Sequence, residues 1–381
     1  MQLNGYVRAD GRVGFRNHVL IVPMPGCQME IARRIAATVP GATCLAHPNG
    51  CDLQQQDFQL FGAIVEHFAA HPNVGAVLFL AMGCAAPLRL RLPAAASAAG
   101  RLTETLNATE GGTTRTVARG AEIARGMAAE LERAKREPVS FAALTVGTKC
   151  GASDANSFAH CHPVVGRACD RLVAEGATVV LSEDCELVGS AHLLAQRAAT
   201  PQVAAQIRQM AEDVDRCWKT RFGVGFEEFA LQHASREDWV KRSLEHAAKA
   251  GSTPFRGFFD MSETVKGPGL VILNAPNTDL ENVTCLAAAG CNVTLFTTGR
   301  GTPVGSPAAI TVKITATKST FELMNENLDL YVGGGADGSE SLDAAAERVV
   351  RTVVEAANGQ AMKAERLRHW EVAIPIRGVT F

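Results

Sequence analysis

Several kinds of protein are excluded by what this sequence does not contain. Charge of one sign is missing: 37 Lys and Arg stand against 39 Asp and Glu, a net of -2. A nucleic-acid binder would carry a basic excess and an interaction tail a block of like charge, and neither is present. The ten His shift that balance only modestly near neutral pH. No apolar run reaches the length of about eighteen residues that a membrane helix needs. The opening MQLNGYVRADGRVGFRNH is polar and lacks an apolar signal core, so a cytoplasmic, non-membrane protein is expected. The 11 Cys are odd in number and never spaced CxxC, which argues against a disulfide scaffold or a zinc ribbon and for reduced thiols. There is no P-loop, and Gly333–Gly338 (GGGADG) reads as a turn rather than a phosphate-binding glycine loop.

What is present is ordinary globular material: 47% hydrophobic and 20% charged residues over 381 positions, enough chain for two domains. Short aliphatic runs at His18–Pro23, Ala42–Ala46, Val74–Ala81, Phe141–Val146, Ala177–Leu181, Leu270–Leu273, Val293–Thr297 and Thr311–Thr315 read as strands. Their apolarity is continuous rather than alternating, as in a parallel sheet buried on both faces. Amphipathic segments at Glu30–Thr38, Gln56–Ala70, Arg115–Glu137, Val164–Ala174 and Pro201–Arg216 separate them, giving βαβ units and a layered α/β fold. The charged run Ala129–Pro138 places a boundary between domains 1–137 and 138–381. A polar, helix-rich insert is read over 211–251.

Functional groups in such sheets collect beyond the carboxyl ends of strands. Five polar clusters fit that rule: His47–Cys51, Met82–Cys84, Lys149–Asp154, Ser182–Glu186 and Thr297–Pro303. Each also has a plain reading. Cys51 and Cys84 could be small buried hydrophobes, Glu183 and Glu186 helix-start acids, and Lys149 with Asp154 a surface ion pair. Taken together the clusters suit β-elimination from a hydroxy acid. That reaction needs a base, a cation for the enediolate charge and an acid for the departing hydroxyl. Arg300 and Lys149 could clamp a carboxylate, and backbone NH groups of the glycine turns could add anion donors. On an extended segment, His160 and His162 would face the same way and could share an ion.

The motifs resemble the altronate/galactarate dehydratase family. The resemblance is carried by Gly5-Tyr6, Arg8, Asp10–His18, His71–Asn73, Glu110–Thr113, Lys149–Asp154, Pro163–Gly166, Ser182-Glu183, Glu186–Gly189 and Phe296–Pro303 with Gly305. It implies a small α/β dimerisation domain, then a Rossmann-like parallel-sheet domain with helices on both faces. It also implies a dehydratase using Fe(II) or Mn(II), with Glu183, His162, His47 and Cys51 as candidate metal ligands. Lys149, Asp154, Glu183 and Glu186 become candidate catalytic groups. Arg16, Asn17, His18, Ser153, Thr298, Arg300 and Gly301 become candidate substrate contacts. The family's N-terminal SAF-type domain is expected here as a separate small subunit, within a homodimer or heteromer.

Departures from the family pattern are His162, Phe158, Gly189-Ser190-Ala191, Thr317-Lys318 and a missing Gly-Asn…Gly-Gly-Leu segment. They leave room for a carbon–sulfur lyase of the sulfolactate type, or for a catalytically silent relative that binds an acid metabolite.

Overall fold

A computed structural model describes residues 1–50, 53, 55–83 and 92–376. The first sheet has four parallel strands, β3 (His18–Pro23), β4 (Ala42–Cys44), β5 (Val74–Ala81) and β6 (Leu102–Asn107), in the order β4-β3-β5-β6. Leu20, Val22, Val77 and Phe79 face helix Gln55–Ala69, while Val19, Ile21, Ala76 and Leu78 face helices Met29–Thr38 and Gly112–Leu131. Burial on both faces is why these strands read as unbroken apolar runs.

The chain's start, β1 (Leu3–Val7), pairs antiparallel with β2 (Val13–Gly14) and with β7 (Glu137–Val139). Position 137 therefore falls within a strand that ties the start of the chain to the crossing point. Helix Gly112–Leu131 ends six residues short of the expected Glu137, because Glu137-Pro138-Val139 is drawn into that pairing. Proline cannot continue a helix but tolerates an edge strand.

The second sheet has seven parallel strands: β8 (Thr145–Cys150), β9 (Thr178–Leu181), β10 (Phe255–Asp260), β11 (Gly269–Asn274), β12 (Val293–Thr297), β13 (Ile310–Thr315) and β14 (Leu330–Tyr331). Their order is β10-β11-β9-β8-β12-β13-β14. The chain places β9, β10 and β11 on one side of β8, with β11 inserted between β9 and the edge strand β10, and restarts at β12 on the other side, so the order reverses between β8 and β12. A crevice beyond the carboxyl ends of two such strands is where open α/β sheets bind ligands. Helices His162–Ala174 and Leu342–Ala357 cover one face of this sheet and Asp279–Ala288 the other, as a doubly covered parallel sheet requires.

Two expectations shift. Phe141–Ala143 forms a 3₁₀ turn, so the strand starts at Thr145 and runs four residues further than its apolar run suggested. Lys149 and Cys150 thus stand on the strand itself, not in the loop. Residues 157–161 form a π-turn running into helix His162–Ala174, so His160 and His162 lie on a helix, not an extended segment. Two residues apart on a helix they point in different directions and cannot share an ion.

Candidate functional site

At the carboxyl end of β9 the chain turns sharply through Glu183, whose φ of 78° and ψ of 68° are left-handed. A non-glycine residue holds that conformation only when its surroundings fix it. Here the side chain does so. Glu183 Oε1 lies 2.6 Å from Lys149 Nζ and Oε2 2.7 Å from Lys249 Nζ. The Cys150 backbone NH also donates to Oε2 at 3.0 Å. All three side chains are 0–1% exposed.

Burial alone would raise the Glu183 pKa, but the two ammonium groups overrule it and hold the carboxyl at about 2. Burial likewise disfavours the Lys149 ammonium, yet Glu183 and Asp279 leave its pKa above the ordinary lysine value. The result is a fixed charge cluster: a buried carboxylate between two buried cations.

Lys149 reaches further. Its Nζ donates to the carbonyls of Cys150 at 2.6 Å and Asn277 at 2.7 Å, and sits 3.2 Å from Asp279 Oδ1. Asn277 Nδ2 in turn donates to Glu186 Oε1 at 3.3 Å. Glu186 and Asp279 are the exposed carboxylates of this group, at 33% and 37% of their side chains. Burial and the neighbouring Glu183 charge raise the Glu186 pKa. Beside Lys149 the backbone packs closely: a methyl group on Gly151 would meet the Phe296 ring at 3.0 Å, Asp279 Oδ2 at 3.4 Å and Thr298 Oγ1 at 3.5 Å.

Behind the cluster, His162 Nδ1 faces the Glu245 carbonyl at 2.9 Å and must donate to it. Burial, then the Lys249 charge, pushes His162 down to about 4, so the ring is neutral and Nε2 accepts. The Cys150 thiol, 3.1 Å away, is the donor. Its pKa is raised by burial, so the pair rests as thiol and imidazole, not as an activated thiolate.

Other expected residues are placed differently. Asp154 does not meet Lys149: its carboxylate accepts from Ser157 N and Oγ at 2.8 and 2.9 Å and from Thr317 Oγ1, capping the following helix. Ser153 Oγ lies 2.7 Å from Cys150 Sγ, at the rim of the cluster. Thr298 Oγ1 accepts from Gly301 N at 3.0 Å. The glycines flanking Arg300 leave no opening for a ligand, since a Cβ on Gly299 would strike Asp154 and one on Gly301 would strike Met324 Sδ. Arg300 itself is exposed and has no partner among the described residues.

Arg16, Asn17 and His18 stand at the amino end of β3, in the other sheet, and the structure does not bring them to Lys149. Arg16 is bound to Glu365 at 2.7 Å and to the carbonyls of Ala356 and Gln360. Asn17 accepts from Arg8 and donates to the Leu131 carbonyl. Asn73 Nδ2 joins the two sheets through the carbonyls of Asn292 and Ala308. His47 is fully buried at the edge of the first sheet, with Nε2 2.8 Å from the Pro23 carbonyl. Cys51 and Cys84 lie outside the described residues.

The described members of the expected metal set, Glu183, His162 and His47, do not converge on a point where a divalent cation could sit. Both Glu183 oxygens face ammonium groups, His162 is committed at both nitrogens, and His47 belongs to another sheet. Among the described residues no group of three or more His, Cys, Asp and Glu is arranged to hold a metal ion.

Lys249, His246, Asn277 and Asp279 were not among the expected site residues, although Lys249 belongs with Arg242–Leu244 to a family-like tail. Asn277 and Asp279 follow β11 and satisfy the same carboxyl-end rule that singled out the five clusters. Lys249 and His246 sit in the polar insert, which carried no strand signal.

Residues 141–380 match the model of the D-galactarate/altronate dehydratase C-terminal domain, and residues 5–132 that of the second domain of D-galactarate dehydratase/altronate hydrolase. The chain belongs to this family. It is 30% identical to altronate dehydratase of Bacillus subtilis over 99% of this chain and 78% of that protein. To altronate dehydratase of Escherichia coli it is 30% identical over 98% and 78%. To the (2R)-sulfolactate sulfo-lyase subunit beta of Chromohalobacter salexigens it is 29% identical over 97% and 96%. The family motifs before residue 74 map onto the network that joins the sheets. Those at 149–154, 182–189 and 296–303 surround the buried cluster.

Proposed function

We propose that the protein is a hydro-lyase that removes water from a sugar acid or related small hydroxy acid in the crevice between β8 and β12. The observation that carries this reading is the buried Lys149–Glu183–Lys249 cluster, which sets a fixed cation beside two solvent-reachable carboxylates. Paired acids in unlike environments are what general acid–base elimination needs.

Arg300 holds the substrate carboxylate from the end of β12, where a planar guanidinium can offer two parallel hydrogen bonds. Asp279 takes the proton from the carbon next to that carboxylate. The electron pair left behind is held first as an enediolate, whose charge the buried Lys149 ammonium stabilises through its field and without direct contact, and it then moves into the carbon–carbon double bond. The neighbouring carbon–oxygen bond breaks, and Glu186 gives the hydroxyl its proton, so water leaves. The enol then becomes a 2-keto acid.

The near-complete overlap with a sulfo-lyase subunit supports a second reading, in which the bond broken is carbon–sulfur and sulfite leaves. The designation beta for that relative also supports a separate small subunit working with this chain. The test is a panel of aldonic, aldaric and small hydroxy acids together with a sulfonated hydroxy acid, with keto-acid formation and sulfite release measured for the chain alone and with a co-expressed small subunit. Keto acid without sulfite supports the dehydratase. Sulfite release supports the second reading, and neither product under both conditions would remove both.

A further inference from the structure

We propose that His246 is a positioning residue for proton transfer: it fixes the Glu186 carboxyl so that Oε1 is the oxygen that delivers the proton. This rests on the elimination reading above and deepens it. The two glutamates of the Glu183–Glu186 turn are not equivalent. Glu183 is saturated by two ammonium groups and a backbone NH, and no substrate atom can reach it. Glu186, one turn on, keeps a third of its side chain in the open.

His246 Nε2 lies 3.0 Å from Glu186 Oε2, while Asn277 Nδ2 holds Oε1 at 3.3 Å. The imidazole is 8% exposed, and its Nδ1 has no hydrogen-bond partner among the described residues. It is held edge-on by Phe158 at 5.1 Å and lies 5.7 Å from His162. Burial and the Lys249 charge keep the ring neutral at physiological pH. A neutral ring has one proton, and an unpartnered buried N–H is costly. The proton therefore sits on Nε2, donating to Oε2, and the acid proton is left to Oε1 on the open side.

The groups around this pair are Glu183 on the same turn, Lys249 on the turn after the histidine's own helix, Lys149 on β8, His162 and Asn277, with Arg242 over Phe158. Because Glu183 is locked as an anion, its charge works to keep the proton on Glu186. That gives the buried cluster two functions: a cation for the substrate, and a fixed negative charge behind the acid.

The test is a double-mutant cycle. His246→Leu should lower kcat roughly ten- to a hundred-fold with KM nearly unchanged, as expected for a misaligned reacting group. It should also shift the pH limb that reports Glu186. His246→Gln keeps an amide N–H near the Nε2 position and should recover most of the loss. In a Glu186→Gln background, His246→Leu should add nothing, since it acts only through Glu186. Additive losses, or equal losses in the Leu and Gln variants, would overturn the proposal. Nitrogen-15 spectra of histidine-labelled protein read the same claim without turnover. A neutral Nε2–H tautomer for His246 that responds to Glu186→Gln supports it, and an Nδ1–H tautomer refutes it. A chain that turns over none of the acids but shows the expected tautomer would lose the lyase reading and keep the pair.

Discussion

The two parallel sheets share an architecture and differ in what they do with polar side chains. In the first, Arg16, Asn17, His47 and Asn73 spend most of their hydrogen bonds on backbone groups, and the charged partners of Arg16 and Asn17 are Glu365 and Arg8, far from any strand's carboxyl-end turn. In the second, Lys149, Glu183 and Lys249 bury net charge against charge at the strand ends. Polar groups bonded to backbone fix geometry but offer little reactivity. Buried ions keep a strong local field, because little water screens it. A carboxyl-end loop is thus a possible site in either sheet, and the charge it retains decides which one can do chemistry.

The largest expected effect comes from acid and tests whether the first region is only framework. Burial pushes His47 and His162 down to about 4 and His71 to about 3. The unfolded chain takes up these protons near the ordinary histidine value, and the native state does not. Stability is therefore complete above about pH 6.5 and falls toward pH 4, each ring contributing up to about 1.4 kcal/mol per pH unit. Asp184 opposes this, since burial raises it to about 6 and the native state protonates it first. Glu183, held at about 2, adds a loss that begins only below the ordinary carboxylate range. Urea midpoints at pH 7, 5.5 and 4 should record a net fall of several kcal/mol, on the order of two histidines' worth. Two of the three rings belong to the first sheet, so hydrogen exchange should quicken first in β3–β6. A flat profile would mean that these rings are hydrated.

Next in size is Glu183→Gln. It leaves two buried ammonium groups without their anion, and breaking such a pair costs roughly 3–5 kcal/mol. Chemical denaturation should show that loss. Iron and manganese retained per chain after metal loading should not change, because the carboxylate faces lysines. Metal lost on this substitution alone would restore Glu183 as a ligand and cancel the distinction between charge cluster and metal centre.

How much of this was legible in the sequence follows from how local each signal is. Strands such as Val74–Ala81 and Val293–Thr297 are continuous apolar runs, and burial on both faces makes them visible without partners. β10 (FRGFFD) and β6 (LTETLN) mix polar residues into edge positions and were invisible by that criterion. Lys149 and Glu183 were found because they end strands. Their pairing was not, because it depends on the left-handed turn at Glu183 and on Lys249, which is 66 positions away along the chain. The family resemblance made Arg16–His18 expected substrate contacts. In the structure Arg16 and Asn17 bond to Glu365, Arg8 and backbone carbonyls where the two sheets meet, a placement that sequence spacing does not reveal.

The smallest effects, and the sharpest contrast between the regions, belong to two arginines. Arg16 lies in the first region, 9% exposed, with Glu365 and three carbonyls around its guanidinium. Arg300 lies at the end of β12, exposed, with no partner among the described residues. The same replacement by lysine should therefore give opposite results. Arg16→Lys loses the fork that meets Glu365 and the carbonyls together. It should cost about 1–3 kcal/mol of stability and leave acid binding unchanged. Arg300→Lys breaks no contact in the unliganded protein, so the melting temperature should hold. What it loses is the second parallel hydrogen bond to a bound carboxylate, so acid binding should weaken by roughly 1.5–3 kcal/mol. Calorimetric titration with a hydroxy acid beside a thermal melt reads both quantities on both variants. If Arg16→Lys weakened acid binding without loss of stability, the first sheet would contribute to the site after all. If Arg300→Lys lowered the melting temperature and left affinity intact, Arg300 would be a loop anchor, and the carboxylate clamp would have to be sought among the backbone donors near Gly151.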